Sequence, residues 1–153
     1  MIPEVPPTVG EAAAVSAEHR YECLAAAPQD ELEALADRVL ARDPRVRVVS
    51  GPQTVSAPVR MPVPGTEHTT SVVGHAALST CTVELAGTRG DGIRMGRDLA
   101  GAIAAAVCDA EADRRGALAA EVERLCSSAR TARAERARQR AELVSSTRVD
   151  GDL

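Results

Sequence analysis

Ala77-Leu78-Ser79-Thr80-Cys81-Thr82-Val83-Glu84-Leu85, running on through Ala86-Gly87-Thr88-Arg89-Gly90-Asp91-Gly92-Ile93-Arg94-Met95-Gly96-Arg97-Asp98, is the stretch on which the fold turns. Its first half alternates. Ala77, Cys81, Val83 and Leu85 fall on one side, and Leu78, Thr80, Thr82 and Glu84 on the other. A period of two with one apolar side is the pattern of a half-buried strand, and the expectation is the central strand of an antiparallel sheet. Gly87 to Gly92 read as the turn, with Gly92–Met95 returning as a hairpin partner. Asp98 then stands where a helix N-cap is wanted, because its carboxylate can accept from the free amides of a first turn. The helix expected from about Leu99 carries an apolar stripe of Ile103, Val107, Ala110, Leu118, Val122 and Leu125. Ser127-Ser128 is the expected break. A second, Arg- and Ala-rich helix is expected from Arg130 to Val144, with an extended tail over 145–153.

Upstream of the stretch, Pro3, Pro6 and Pro7 mark residues 1–10 as a flexible lead, and a helix is expected over 11–26. Leu32, Leu35, Ala36, Val39 and Leu40 recur at helical spacing. Pro28 suits the first turn of that helix, Asp30 and Glu31 its positive end, and Asp43-Pro44 its stop. Arg45–Ser50 reads as a short strand. Pro52, Pro58, Pro62 and Pro64 follow so closely that any strand near Val59–Val63 must lie on an edge or be irregular. The sum is one α+β domain over 11–144: N-terminal helices, a small antiparallel sheet, then long C-terminal helices.

The chain has 153 residues, enough for a single core. Lys, Asn, Phe and Trp are absent and Tyr21 is the one aromatic, so the core must be aliphatic and rich in Ala. Such side chains bury little area each, at roughly 25 cal/mol per Å², which points to a chain completed by a partner. No apolar run reaches the roughly 18 residues of a membrane span, and Met1-Ile2-Pro3-Glu4 does not have the make-up of a secretory signal. A cytoplasmic protein with four reduced thiols (Cys23, Cys81, Cys108 and Cys126) is the expectation. The net charge of −4 is unevenly placed: residues 1–43 carry 9 acids and 3 Arg, residues 111–143 carry 8 Arg and 6 acids. A divided charge of this kind suits contact between subunits.

Catalytic patterns are missing. His68, His75 and Cys81 match no compact zinc spacing, so no metal site is expected. Cys81 falls on the core side of its strand, where a thiol is inert. No serine lies in a G-x-S-x-G elbow. The Gly-rich segment before Asp98 lacks the Gly-Lys-Ser/Thr of a phosphate loop. Its plain reading is a turn followed by a capped helix; its functional reading is contact with an anion or a partner carboxylate through its arginines. The Arg run over 130–140 reads as a solvated or subunit-facing helix, with nucleic-acid contact a lesser alternative.

Taken in order, several pieces make a resemblance. Arg20-Tyr21-Glu22-Cys23-Leu24-Ala25, Pro52 with Thr54, Gly74 through Cys81, Gly96-Arg97-Asp98, Asp109-Ala110 and Thr147-Arg148-Val149-Asp150 follow at the intervals of one family. On them the chain resembles the G subunit of the bacterial carbon–phosphorus lyase core complex, PhnG, over roughly residues 20–150. It departs in Gln53, Val55, His75 and Thr80, and in ending at Leu153 where the family carries an aromatic stretch.

The resemblance implies an accessory subunit acting with the H, I and J subunits. The complex, a transferase, uses an alkylphosphonate to displace adenine from MgATP and gives α-D-ribose 1-methylphosphonate 5-triphosphate. It implies no cofactor on this chain itself, MgATP being the complex's substrate, and no catalytic residue to carry over. Arg97, Asp98, Arg148 and Asp150 are the candidate contacts to an anion or a partner. A second copy of the chain is a further candidate partner, while nucleic acid and membrane are not expected. The rival reading is a stand-alone module that self-associates through its C-terminal helices.

Overall fold

The computed structural model describes residues 9–148, with side chains over 17–147. Two helices come first, α1 (Val9–Ala26) and α2 (Gln29–Arg42). Three strands follow, β1 (Val46–Pro62), β2 (Thr70–Leu85) and β3 (Thr88–Met95), then α3 (Leu99–Asp113) and α4 (Ala119–Arg148). The sheet is antiparallel in the order β1-β2-β3. This is the expected α+β arrangement, with the alternating strand at its centre.

Alternation places Ser79, Cys81, Val83 and Leu85 of β2 under the helices, all buried. Ala77, expected on that side, is exposed because β2 has by then run past α3. The core is aliphatic, as the composition requires: Leu24, Leu32, Val39, Val83, Leu85, Val107 and Val122 are fully enclosed, among many alanines. Each such Leu or Val is worth about 1.5–3 kcal/mol of burial. In α2 the apolar stripe faces inward, Asp30 and Glu31 occupy the first turn, and Pro28 sits one residue outside it, at the N-cap.

The β2–β3 turn is tighter than the six-residue loop expected. Leu85 pairs with Thr88, so only Ala86 and Gly87 turn the chain, with φ of 50° and 89°. Two positive φ values match the right-handed twist of the flanking strands. Gly90 and Gly92 belong instead to β3, where they face α3. A Cβ on Gly90 would lie 2.1 Å from the Ala106 carbonyl oxygen, and one on Gly92 2.2 Å from that of Ala102. The glycines let the helix backbone approach the strand.

The short strand expected over 45–50 is the start of a 17-residue one. β3 covers β2 only from Leu78 to Leu85, so Ser56–Pro62 and Thr70–Ala77 pair as a two-stranded ribbon beyond it. The prolines 52, 58 and 62 are accommodated because β1 is an edge. One side of the ribbon and its root sets Val55, Val59, Leu78 and Met95 together, and all but Leu78 are exposed.

The long helix breaks at Arg114–Leu118 and not at Ser127-Ser128. Arg115 takes φ of 55°, and the amides of Arg115 and Gly116 bond to the carbonyls of Ala112 and Glu111, closing α3 with a left-handed cap. Glu111, almost fully buried, accepts from the Leu118 amide at 3.3 Å and from Arg114 at 3.1 Å, so its carboxylate supports the start of α4. The two serines do not interrupt α4; Thr131 donates back to the Ser127 carbonyl at 3.0 Å. Ser145–Arg148, expected as extended tail, continue the helix. Ser146 and Thr147 satisfy their hydroxyls on the Leu143 and Val144 carbonyls, which costs the helix little. None of the described helices is long and apolar enough to cross a membrane.

Candidate functional site

The β3–α3 junction is built from side chains that hold backbone. Asp98 is the expected N-cap: one carboxylate oxygen accepts from the Gly101 amide at 2.9 Å, the other from Arg94 at 3.0 Å. Ser79, buried on β2, donates to the Gly96 carbonyl at 2.7 Å and accepts from the Asp98 amide at 2.9 Å. Arg94 does more than a solvated arginine. It is 9 % exposed and its guanidinium reaches the carbonyls of Leu24, Ala25 and Ala27 at 3.1, 3.1 and 2.6 Å. Those carbonyls belong to the last turn of α1 and the residue after it, where a helix runs out of its own amide donors; of the three, Leu24 also takes a neighbouring amide, that of Ala27 at 3.4 Å. Arg94 thus ties α1 to the start of α3.

Of the four residues singled out by sequence, Asp98 is committed to this structure. Arg97, next to it, is exposed and makes no ion pair with another described residue. Arg148 closes α4, and Asp150 lies outside the described residues. The junction therefore presents one unengaged cation, Arg97, at the head of a helix.

A second cluster lies on the outer side of β3. Asp109, on α3 and 9 % exposed, accepts from Arg20 at 2.7 Å and from the Asp91 amide at 2.9 Å. It joins α1, β3 and α3 in one contact. Thr82 donates to Asp91 at 2.7 Å. Beside these residues an open cleft of about 420 Å³ is lined by Tyr21, Thr80, Thr82, Arg89 and Asp91. The Tyr21 phenol is pushed up by partial burial and by the carboxylates of Asp91 and Asp109, so it stays a hydrogen-bond donor at neutral pH. Phenol, two threonine hydroxyls and the half-buried Asp91 suit a polar group held without covalent chemistry. The cleft was not found by sequence. The available signal was Asp109 itself, a carboxylate set in the middle of an Ala- and Val-rich stripe. A polar residue there needs a partner.

The buried thiols of Cys81, Cys108 and Cys126 are held protonated and so are not nucleophiles. Burial and then Asp91 push the Cys81 thiol up; burial foremost, with Cys108 also facing the negative side chains of Glu111 and Asp109, carries Cys108 and Cys126 up to about 12. No cluster of three metal-ligating side chains occurs among the described residues. The raised thiols have a consequence for stability. An unfolded cysteine ionises near ~8.5, and the native state holds its proton to higher pH. The stability linked to Cys108 and Cys126 is complete below that value and is lost as pH rises toward about 12. Urea midpoints are expected to fall steadily above neutral pH, with a shallower fall in Cys108→Ala. An identical slope in the variant would remove this account.

The stretches that set the sequence resemblance now have places. Arg20-Tyr21 and Asp109 meet at the β3 edge, and Gly96-Arg97-Asp98 opens α3. The family model described as phosphonate metabolism protein PhnG matches residues 17–152. The chain belongs to the PhnG family. The match takes in every described strand, α2, α3, α4 and most of α1. Membership places this PhnG chain in phosphonate metabolism. No curated protein matches the chain.

Proposed function

We propose that this PhnG-family chain is an accessory, non-catalytic subunit of the carbon–phosphorus lyase core complex in the cytoplasm. Its partners are the H, I and J subunits. The complex displaces adenine from MgATP with an alkylphosphonate and yields α-D-ribose 1-methylphosphonate 5-triphosphate. Family membership supports the pathway. The observation that carries the subunit role is the β1–β2 ribbon, two strands with no third beside them among the described residues and with apolar side chains in the open. A two-stranded ribbon is marginal in water on its own, and exposed apolar rows of this sort are characteristic of interfaces.

Within that reading Arg97 is the contact to a partner loop or to the charged substrate, and Asp98 positions it by capping α3. Arg148 and Asp150 complete the proposed contacts at the far end of the chain. Arg97→Ala tests the assignment, since its side chain supports nothing in the fold. The expected result is an unchanged thermal midpoint with about tenfold weaker assembly or adenine release, ~1.4 kcal/mol. Full assembly with full activity would refute the role of Arg97.

A further inference from the structure

The outer half of α4 leaves the body of the protein. Every residue from Arg130 to Thr147 is exposed. In the inner half, Val122, Cys126 and Ala129 are buried against the body. Followed outward at spacings of three and four, the same side of the helix becomes Arg133, Arg136 and Arg140. Residues 130–147 hold five Arg and two Glu, a net +3, in a chain whose total is −4. Arg138 pairs with Glu135 within the helix; the arginines of the seam make no ion pair with any described residue. A helix this long and polar gains little by itself, so its charge pattern indicates what covers it.

We infer that the seam of Arg133, Arg136 and Arg140 docks an acidic surface of another protein chain. The inference rests on the subunit reading and names the chemistry of the partner at this helix. Charge selects the occupant. Two copies pairing through these helices would bring +3 against +3, which disfavours self-association here. Nucleic acid fits less well, because the protein is acidic overall and Glu135 and Glu142 interrupt the basic run. A carboxylate-bearing protein surface satisfies the arginines in forked geometry and tolerates the glutamates.

The test uses the full chain and two triple variants, Arg133→Ala/Arg136→Ala/Arg140→Ala and the corresponding three changes to Glu. Both replace exposed side chains with good helix formers, and circular dichroism checks that helix content is kept. Each is purified with the H, I and J subunits of the same organism. The inference expects the wild-type complex to lose this chain as salt rises well above about 0.1 M. It also expects about tenfold weaker retention in the Ala variant and more in the Glu variant, at constant salt. Variants that assemble like the wild type, with the same salt resistance, would overturn it. If the wild type does not assemble with those subunits, the subunit reading fails, and the free chain decides the inference separately. Saturable, salt-sensitive binding to poly-L-glutamate, lost in both variants, supports an acidic protein partner. Absence of that binding, tighter binding to polyuridylate RNA, or a homodimer abolished by the three substitutions would overturn it.

Discussion

Replacing Arg94 by Leu is expected to cost roughly 3–5 kcal/mol of stability, the range for removing one member of a buried, hydrogen-bonded ion pair. The guanidinium is buried and holds three carbonyls at the end of α1 together with the Asp98 carboxylate. Leucine keeps much of the volume but leaves four acceptors without their donor. One of them is a carboxylate with 18 % of its side chain exposed. A domain of this size has about 5–15 kcal/mol in total, so α1 should detach well before global unfolding. Two readouts follow: a lower urea midpoint, and faster tryptic cleavage at Arg20. Arg94→Lys should fall between the two, since an ammonium supplies charge but cannot reach Asp98 and three carbonyls at once. A loss below about 1 kcal/mol for Arg94→Leu would place its contacts among ordinary surface interactions.

Arg94 also shows where the sequence was legible and where it was not. Strand alternation is a local property, so β2 was readable as the central strand, and the cap at Asp98 was readable because it needs only its own helix. Arg94 was one arginine of a Gly-rich segment with no local sign of burial. Its acceptors lie about 70 residues away in α1, and are backbone atoms that carry no residue identity. The same holds for Asp109, whose partner Arg20 is 89 positions away. The ribbon was obscured for a different reason. Prolines exclude a strand with neighbours on both sides but not an edge, so Pro52, Pro58 and Pro62 hid a long β1 inside what resembled loop. The helix break was misplaced because a serine pair competes only weakly for backbone, whereas Arg115-Gly116 closes α3 with left-handed geometry. At the candidate site, Arg97 and Asp98 were singled out by motif, and of the two only the capping role of Asp98 is seen in the fold. The sequence could not separate their tasks, which depend on which of the two side chains the fold consumes.

The second large effect belongs to glycines that sequence assigned to a turn. Gly92→Ala is expected to destabilise at the upper end of the 1–3 kcal/mol typical of overpacking, or beyond it. The new Cβ would sit 2.2 Å from the Ala102 carbonyl oxygen and 2.5 Å from the Ala106 amide, both backbone atoms of a helix that cannot move them singly. Relief requires α3 to slide off β3 as a unit. Gly90→Ala presses on the next turn of the same helix, at Ala106 and Ala110. Because one displacement of α3 relieves both clashes, the double variant should cost less than the sum of the singles. Displacement of α3 would also pull Asp109 from the Asp91 amide, now 2.9 Å away, and open the cleft beside Tyr21. The expected signature is thus a lowered urea midpoint together with faster hydrogen exchange at the Asp91 amide. Gly74→Ala is the control: it lies on the ribbon with nothing within 4 Å of its Cβ, and should be neutral or slightly stabilising. Equal effects at Gly74 and Gly92 would mean that glycine flexibility, and not the close approach of α3, is what those positions require. A lowered midpoint at Gly92 alone, with Asp91 exchange unchanged, would mean that the clash is absorbed without moving the helix. The contact joining α1, β3 and α3 would then be sturdier than its two hydrogen bonds imply.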